Sequence, residues 1–518
     1  MVPSTRKDAT LPSVVAKLGA EHATTALSLT LLFHPDPERI GASWEQRVSA
    51  TKKVLELGRH QPEFCLQPEG QLLAGLEDRH ISRQALRLEF SAKGLLLHKY
   101  PAACRCKLQG EDISEDIKLD AEQLQRGLSL QLGHSVVLWL RLGPARAMPP
   151  PDAALGQLAL RGRSVCLQRL RQQIARAAMT DLDVLVQGET GTGKELAAVA
   201  LHQSSHRSGG PFVPINMAAI PESLASALLF GSAQGAYTGA AKATKGYFQQ
   251  AHRGTLFLDE VGDTPVDIQP LLLRALQQRQ VQVVGGAVES VDLRVIAATD
   301  AQLDGEGCNF SAALRHRLGS IEIRVPALRE HPEDIGELLL HFLREAAAMM
   351  DCERLLPSAD DDEIRSALWA EVFALFARYS WPGNVRELAN AARQLLVASE
   401  REVQVPAHLL QRMQQDSSAE PSHGSLRPMA QVDAEQFRAA FVSHDYEVAA
   451  TARALGVSRQ SIYRRLEEIP DLRLASEVSD SELQQALAAA DGDTREAARA
   501  LSVSYKGLRV RLRSGTRL

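Results

Sequence analysis

Gly188-Glu189-Thr190-Gly191-Thr192-Gly193-Lys194-Glu195 follows the apolar run Val184-Leu185-Val186 and opens a helical pattern that begins near Lys194. The spacing G-x-x-x-x-G-K is that of a phosphate-binding loop. Gly188, Gly191 and Gly193 are expected to take positive φ and turn backbone N–H groups inward, so that a triphosphate meets donors and a helix N-terminus together. Lys194 supplies a point charge for the outer phosphates, and Glu189, Thr190 and Thr192 complete the loop. The Ser or Thr that usually closes this pattern on magnesium is replaced by Glu195, a carboxylate that can reach a metal through water. Strand, loop and helix in this order predict an α/β domain.

Working outward, Gly254-Thr-Leu-Phe-Leu-Asp259-Glu260 is a buried-strand pattern that delivers two acids at its C-terminal end, where open α/β sheets place their ligands. Asp259 is expected to organise a Mg2+ shell and Glu260 to polarise the attacking water. Two further strand patterns flank this one. Pro211-Phe-Val-Pro-Ile-Asn216 ends in an amide, and Asp292-Leu-Arg-Val-Ile-Ala-Ala-Thr299-Asp300 ends in a hydroxyl and an acid.

The chain has 518 residues, 45% of them apolar, which is material for about three or four domains. Its net charge of −5 excludes a polybasic nucleic-acid binder, so any DNA contact requires a local patch. The cysteines at 65, 104, 106, 166, 308 and 352 form no C-x-x-C pair, and are expected to be reduced, mostly buried thiols of a cytoplasmic protein. No run of about 18 apolar residues and no signal-peptide pattern occurs, so neither secretion nor a membrane partner is expected. Composition breaks at Gly143–Ala154, with Pro149-Pro150-Pro151, and at Gln414–Ser425 mark two connectors. The expected organisation is a disordered N-terminus over 1–24, a β-sandwich over 25–142 and a linker over 143–153. An ATPase domain with a helical lid follows over 154–412, then a linker over 413–432 and helical units over 433–470 and 478–518.

In the first region, short apolar runs alternate with turns: Leu27–Phe33, Leu72–Leu76, Ala85–Phe90, Leu95–Leu97, Leu128–Leu132 and Val136–Leu142. Many short strands without helical periodicity predict a sandwich. Leu57-Gly58-Arg59, with Ser82-Arg83-Gln84-Ala85 and the closing Leu128–Gly133, resembles the forkhead-associated (FHA) domain. That resemblance implies a phosphothreonine partner held by Arg59, Ser82 and Arg83, a set suited to a dianion. Two departures accompany it: the family's His is Ala85, and its Asn-Gly turn is replaced by Cys104–Gly110. A docking or regulatory module without phosphopeptide binding is the alternative.

The central region is similar to the AAA+ domain of bacterial enhancer-binding proteins, the activators of sigma-54 RNA polymerase. The specific signal is Gly235-Ala236-Tyr237-Thr238-Gly239-Ala240, which resembles the family's GAFTGA loop with Tyr for Phe. The resemblance implies that this loop contacts sigma-54 and that Asn216 couples Glu260 to it. It also makes Thr299 a first sensor and Arg386, in Trp381-Pro-Gly-Asn-Val-Arg386-Glu-Leu388, a second sensor reading ATP. Family members assemble as hexamers, and two arginines six residues apart reach the neighbouring subunit's nucleotide. Here Ser311 takes the first position and Arg317 the second, with Arg315 nearby. An arginine finger is worth roughly 10³–10⁵ in rate, so the exchange bears directly on turnover. Asp300 stands where Asn is usual.

In the last region, Phe437, Phe441, Ala450, Ala454, Leu455, Val457, Ile462 and Leu466 have the spacing of a packed three-helix unit with a turn at Leu455–Ser458. This predicts a helix-turn-helix. Ser458 would cap its recognition helix, and Arg459, Gln460, Tyr463 and Arg464 would face double-stranded DNA. The segment resembles the Fis-type DNA-binding end of the same activators. A shift of 46 residues aligns Arg453–Ser458 with Arg499–Ser504 and predicts a second, similar unit. Together these features predict an enhancer-binding activator whose ATP-driven homo-oligomeric ring remodels sigma-54 polymerase. The alternatives are a DNA-binding regulator that binds ATP but hydrolyses it poorly, and an AAA+ remodeler of another protein.

Overall fold

The computed structural model describes residues 25–49, 51–66, 70–145, 160–236, 242–301, 303, 309–399 and 402–417, with an interrupted set between 433 and 508. Two compact units result, Met1–Ser417 and Ser418–Leu518. The segment 1–24 and most of both expected linkers lie outside the described residues, as do Tyr237, Thr238, Gly239, Ala240, Ser458, Arg459, Gln460, Tyr463 and Arg464.

The N-terminal region is two antiparallel sheets enclosing one apolar core. The larger has eight strands in the order Gln71–Leu73, Phe64–Leu66, Ser43–Arg47, Thr25–Phe33, Val136–Pro144, Leu128–Leu132, Cys106–Leu108, Glu111–Asp112. The smaller runs Ile117–Asp120, Gly94–Lys99, Leu86–Ser91, Lys53–Leu57. Leu27, Leu29 and Leu31 from the first meet Leu55, Leu57, Leu86, Leu88 and Phe90 from the second. The strand Leu86–Ser91 alternates buried and half-buried residues, as a sheet with one wet face must. The thiols depart from expectation: of those described, only Cys106 is fully buried; Cys104, Cys166 and Cys352 lie at the margins of cores, and Cys65 is half-buried.

Thr25–Phe33 and Val136–Pro144 behave differently from the alternating strands, being buried along nearly their whole length. Their inward residues fill the sandwich, while Leu32, Phe33, Val137 and Trp139 enter a second core shared with the helical lid. This explains why both read as continuous apolar runs: each face has a neighbour.

The ATPase core is a five-stranded parallel sheet in the order Phe212–Asn216, Thr255–Asp259, Arg294–Thr299, Val184–Gln187, Ile321–Arg324. Alternate residues serve opposite faces. Leu185, Leu256, Leu258, Val295 and Ala297 pack on one side, and Val184, Val186, Phe257, Ile296 and Ala298 on the other. Both faces are thus covered, and ligand chemistry is left to the strand ends.

The lid comprises the helices Ile335–Met350, Glu363–Arg378, Asn384–Ala398 and Ala407–Ser417 around Trp369, Phe373, Phe376 and Trp381. In the second unit, the helix Ala434–Ser443 stacks Phe437 on Phe441 at 5.8 Å, with Ile462 and Leu466 also buried. The helices Asp480–Ala489 and Thr494–Ala500 contribute Leu483, Ala497 and Ala498 to a small core with Val503 and Leu508. Aligned positions of the repeat, Ile462 with Leu508 and Phe437 with Leu483, are therefore buried in both halves.

Candidate nucleotide site at the sheet ends

The loop leaves the strand Val184–Gln187 and enters the helix Lys194–Gln203 directly. Gly191 and Gly193 have φ of +81° and +99°, the left-handed region in which a side chain is strained. Gly188 corrects the expectation of positive φ at all three glycines. Its backbone is ordinary, and a Cβ there would lie 2.9 Å from the Val325 carbonyl oxygen and 3.0 Å from Thr192 Oγ1. Close approach, not handedness, requires glycine at 188.

A cleft of about 530 Å³ lies over this loop, lined by 190–196, Asp259, Glu260, His331 and Arg386 among others. Lys194 is 6% exposed; its Nζ donates to the Gly188 carbonyl at 3.0 Å and lies 3.6 Å from Glu260 Oε1. Glu260 sits one residue beyond its strand with φ +48°, so the turn swings its carboxylate back toward the loop. Burial raises its pKa above the ordinary glutamate value, partly offset by the Lys194 charge.

The register aligns Asn216 with Asp259 and Gln187 with Thr299, which brings the predicted amide, acid and sensor to one edge. Thr299 Oγ1 accepts from the Ala301 N–H at 3.1 Å, and the Thr299 carbonyl receives the Gly188 N–H at 3.2 Å. Asp300 accepts from the Thr190 hydroxyl, so the acid found where Asn is usual braces the phosphate loop. Glu195, in the first helical turn, lines the cleft with Asp259 and Glu260. This all-oxygen donor set fits a hard divalent cation.

The lid closes the cleft through polar groups. Arg386 lines it, and the Arg386 N–H donates to the Gly191 carbonyl at 3.2 Å. Asn384 is fully buried at φ +53°; its amide donates to the Thr190 carbonyl at 3.1 Å and to Glu189 at 3.2 Å, and accepts from the Leu328 N–H at 2.9 Å. Arg329 grips Glu189 with both terminal nitrogens. Hydrogen bonding from Arg329, then from Asn384, holds the Glu189 carboxyl down at about 2. The sequence reading assigned no role to Arg329 or Asn384. The side-chain amide in Trp381–Arg386 was a visible signal for Asn384, whereas nothing local marks an arginine 140 residues from its partner.

Arg317 and Arg315 are engaged within their own subunit. Arg317 donates to the Leu276 carbonyl at 2.9 Å and lies 3.5 Å from Asp183, a buried carboxylate that also holds Arg279. Arg315 pairs with Glu322 at 2.9 Å. Ser311 caps the helix Ala312–Leu318, its hydroxyl accepting from the Leu314 N–H.

The described stem of the candidate contact loop is a bridge from Ser232 to Thr244, reinforced by their hydroxyls at 2.7 Å; Gly235 has φ +77°, and Ala236 lies beside Gly285. At one end of the sandwich, Arg59, Ser82 and Arg83 come together. The Arg59 side chain donates to the Ile81 and Arg79 carbonyls, the Ser82 hydroxyl accepts from the Cys104 N–H, and Arg83 is exposed. Among the described residues no helix is long and apolar enough to cross a membrane.

Comparison with known proteins supplies the context. The Sigma-54 interaction domain family matches residues 160–324, and the AAA+ ATPase lid domain family matches 329–426. The chain is similar to the transcriptional regulatory protein ZraR of Salmonella typhimurium, 37% identical over 351 residues covering 67% of this chain and 75% of that one. It is also similar to the DNA-binding transcriptional regulator NtrC of Azospirillum brasilense, 37% identical over 370 residues, 70% of this chain and 71% of that one. Among solved structures it resembles NtrX from Brucella abortus in complex with ATP, at 30% identity, 62% and 71% coverage and a TM-score of 0.43.

Proposed function

Because the chain belongs to the sigma-54-dependent transcriptional activators built on an AAA+ domain, we propose that it binds enhancer DNA through its C-terminal helices and hydrolyses ATP to remodel sigma-54 polymerase. The observation that carries the ATPase reading is the Lys194–Glu260 pair at the sheet ends, roofed by Arg386. An arriving triphosphate competes for Lys194 and for the inward N–H groups of the loop. Glu260 is then released from its ion pair, and its raised pKa suits a base that takes a proton from water. Asp259, with Glu195 behind it, would hold Mg2+, which supplies charge neutralisation at the outer phosphates. Arg386 reads the nucleotide from the lid, while Asn216 and Thr299 connect the Glu260 edge to the sheet and the loop. The segment Gly235–Ala240 carries the contact with sigma-54, and the ring is a homo-oligomer, a hexamer by family resemblance. Ser458, Arg459, Gln460, Tyr463 and Arg464 face DNA, and Arg59, Ser82 and Arg83 form the surface for a phosphothreonine partner.

A second reading, an ATP-binding regulator of low turnover, is favoured by one specific observation. Ser311 is a helix cap, and Arg317 and Arg315 already have intramolecular partners. Hydrolysis measured against protein concentration separates the two, with Glu260→Gln as control and Ser311→Arg as probe. A motor gives a cooperative rise that Glu260→Gln reduces by about 10²-fold or more. Wild-type turnover no higher than that of Glu260→Gln, restored by Ser311→Arg, supports the second reading. The arginine removes a cap worth about 1 kcal/mol, so the comparison belongs well below the melting temperature.

A further inference from the structure

Away from the nucleotide cleft, His80 and His134 of the sandwich converge on Glu363, the first residue of a lid helix, with one ligand atom of each lying within 4.8 Å of the others. The rings of the two histidines are 4.5 Å apart, and His80 Nε2 is 3.4 Å from Glu363 Oε1. Among the described residues His134 Nε2 is buried without a hydrogen-bond partner, an arrangement that costs free energy unless something else is bound there.

The two histidines are held in place from behind by one buried carboxylate. Asp78, 7% exposed, accepts the His80 backbone N–H at 2.6 Å through one oxygen and the Ser135 hydroxyl at 2.6 Å through the other. It therefore ties together the two turns that carry the histidines. Gly133, at φ +60°, lets the second turn pass so close that a Cβ would meet the His80 carbonyl oxygen at 3.3 Å. A cation already lies at this focus: the Arg79 guanidinium, on a side chain 80% exposed, donates to His80 Nε2 at 2.9 Å and approaches Glu363 at 3.8 Å. An exposed arginine can swing away, whereas the turns that carry the histidines are tied together by Asp78.

We propose that His80, His134 and Glu363 form a zinc-class divalent metal site, completed by water, that fastens the sandwich to the lid. Zinc bonds of about 2.0–2.2 Å in a tetrahedron place neighbouring ligand atoms about 3.3–3.6 Å apart. The His80–Glu363 spacing of 3.4 Å already meets this, and the remaining spacings, all within 4.8 Å, close by side-chain rotation. Two imidazoles and one carboxylate select zinc over magnesium or calcium, which prefer oxygen. The metal would also satisfy the orphaned His134 nitrogen, while Asp78 fixes the backbone turns that carry both histidines.

The test is equilibrium dialysis of the full chain against zinc chloride, in a Cys104→Ser, Cys106→Ser background that removes the nearby thiols. Melting temperature is read with and without metal. The expectation is one zinc per chain, with affinity lowered tenfold or more by His134→Ala and by Glu363→Ala, and with the zinc-induced rise in melting temperature lost in both. Arg79→Ala removes the competing cation and is expected to tighten binding; because its side chain is exposed, it serves even if a histidine variant folds poorly. No stoichiometric zinc, affinity unchanged within twofold in both ligand variants, or weaker binding in Arg79→Ala would each overturn the proposal.

Discussion

The lid has two seams, and they are made of different matter. Against the sandwich it presents an apolar surface: Phe33 meets Phe373 with ring centroids 4.9 Å apart, Val137 and Trp139 join the same core, and Gly336 leaves no room for a Cβ beside the Leu32 backbone. A partly buried pair, Arg141 with Glu333 at 2.9 Å, closes the edge. Against the phosphate loop it presents the hydrogen-bonding groups Asn384, Arg386 and the Arg329–Glu189 fork. Apolar contact is strong and indifferent to direction, so the first seam fixes a position. Hydrogen bonds are directional and exchangeable, so the second is where a phosphate can change partners and move the lid.

The contrast can be broken most sharply at Phe33. Phe33→Ala should destabilise the Met1–Ser417 unit by about 3–5 kcal/mol, read as a fall in denaturation midpoint, with nucleotide affinity nearly unchanged. A shift in affinity larger than the shift in stability would show that the apolar seam also senses nucleotide. Next in size, Arg141→Ala leaves Glu333, whose pKa burial already raises, without its partner, for an expected loss of about 3 kcal/mol. Stability of this variant should recover as the pH is lowered, because protonation removes the uncompensated charge.

Asn384→Ala tests the other seam. It leaves the Leu328 N–H and the Thr190 carbonyl short of a partner and is expected to cost about 1–3 kcal/mol, with a larger proportional loss in nucleotide affinity by titration. The smallest effect is expected at Glu189. Its folded value, about 2, lies below that of an ordinary glutamate. Its contribution is therefore fully present above the unfolded value near pH 4.3 and lost as the pH falls toward 2. Glu189→Gln should flatten that acid limb of the stability curve while leaving neutral stability within about 1 kcal/mol. An unchanged limb would show that the fork with Arg329 is a surface contact only.

The structure also shows which parts of the chain announce themselves. Val184–Gly193 and Leu256–Glu260 are local patterns whose chemistry depends on neighbours in sequence, and each lies at a strand end where its spacing predicted. The apolar runs at Leu27–Phe33 and Val136–Leu142 lie in strands, and Ala85–Phe90 does so from Leu86 on. Ser43–Arg47, Lys53–Leu57 and Ile117–Asp120 escaped notice, because polar residues on their wetter faces interrupt the apolar signal. Ser311 was legible as an absent arginine; its role as a helix cap was not, since a cap is defined by the N–H groups that follow it in space.

Sequence by itself determined the phosphate loop, the acid pair and the alternation of the sheets, because periodicity and glycine spacing act over a few residues, while the relation to the sigma-54 activators rested on the resemblance of Gly235–Ala240 to that family's loop. Only the tertiary structure decided which face of the sandwich meets the lid, that Arg317 and Arg279 share Asp183, that Arg329 holds Glu189, and that two histidines face Glu363. Those contacts join residues from 96 to 340 positions apart, where no local period exists and the choice of partner rests on packing and charge once the elements have formed.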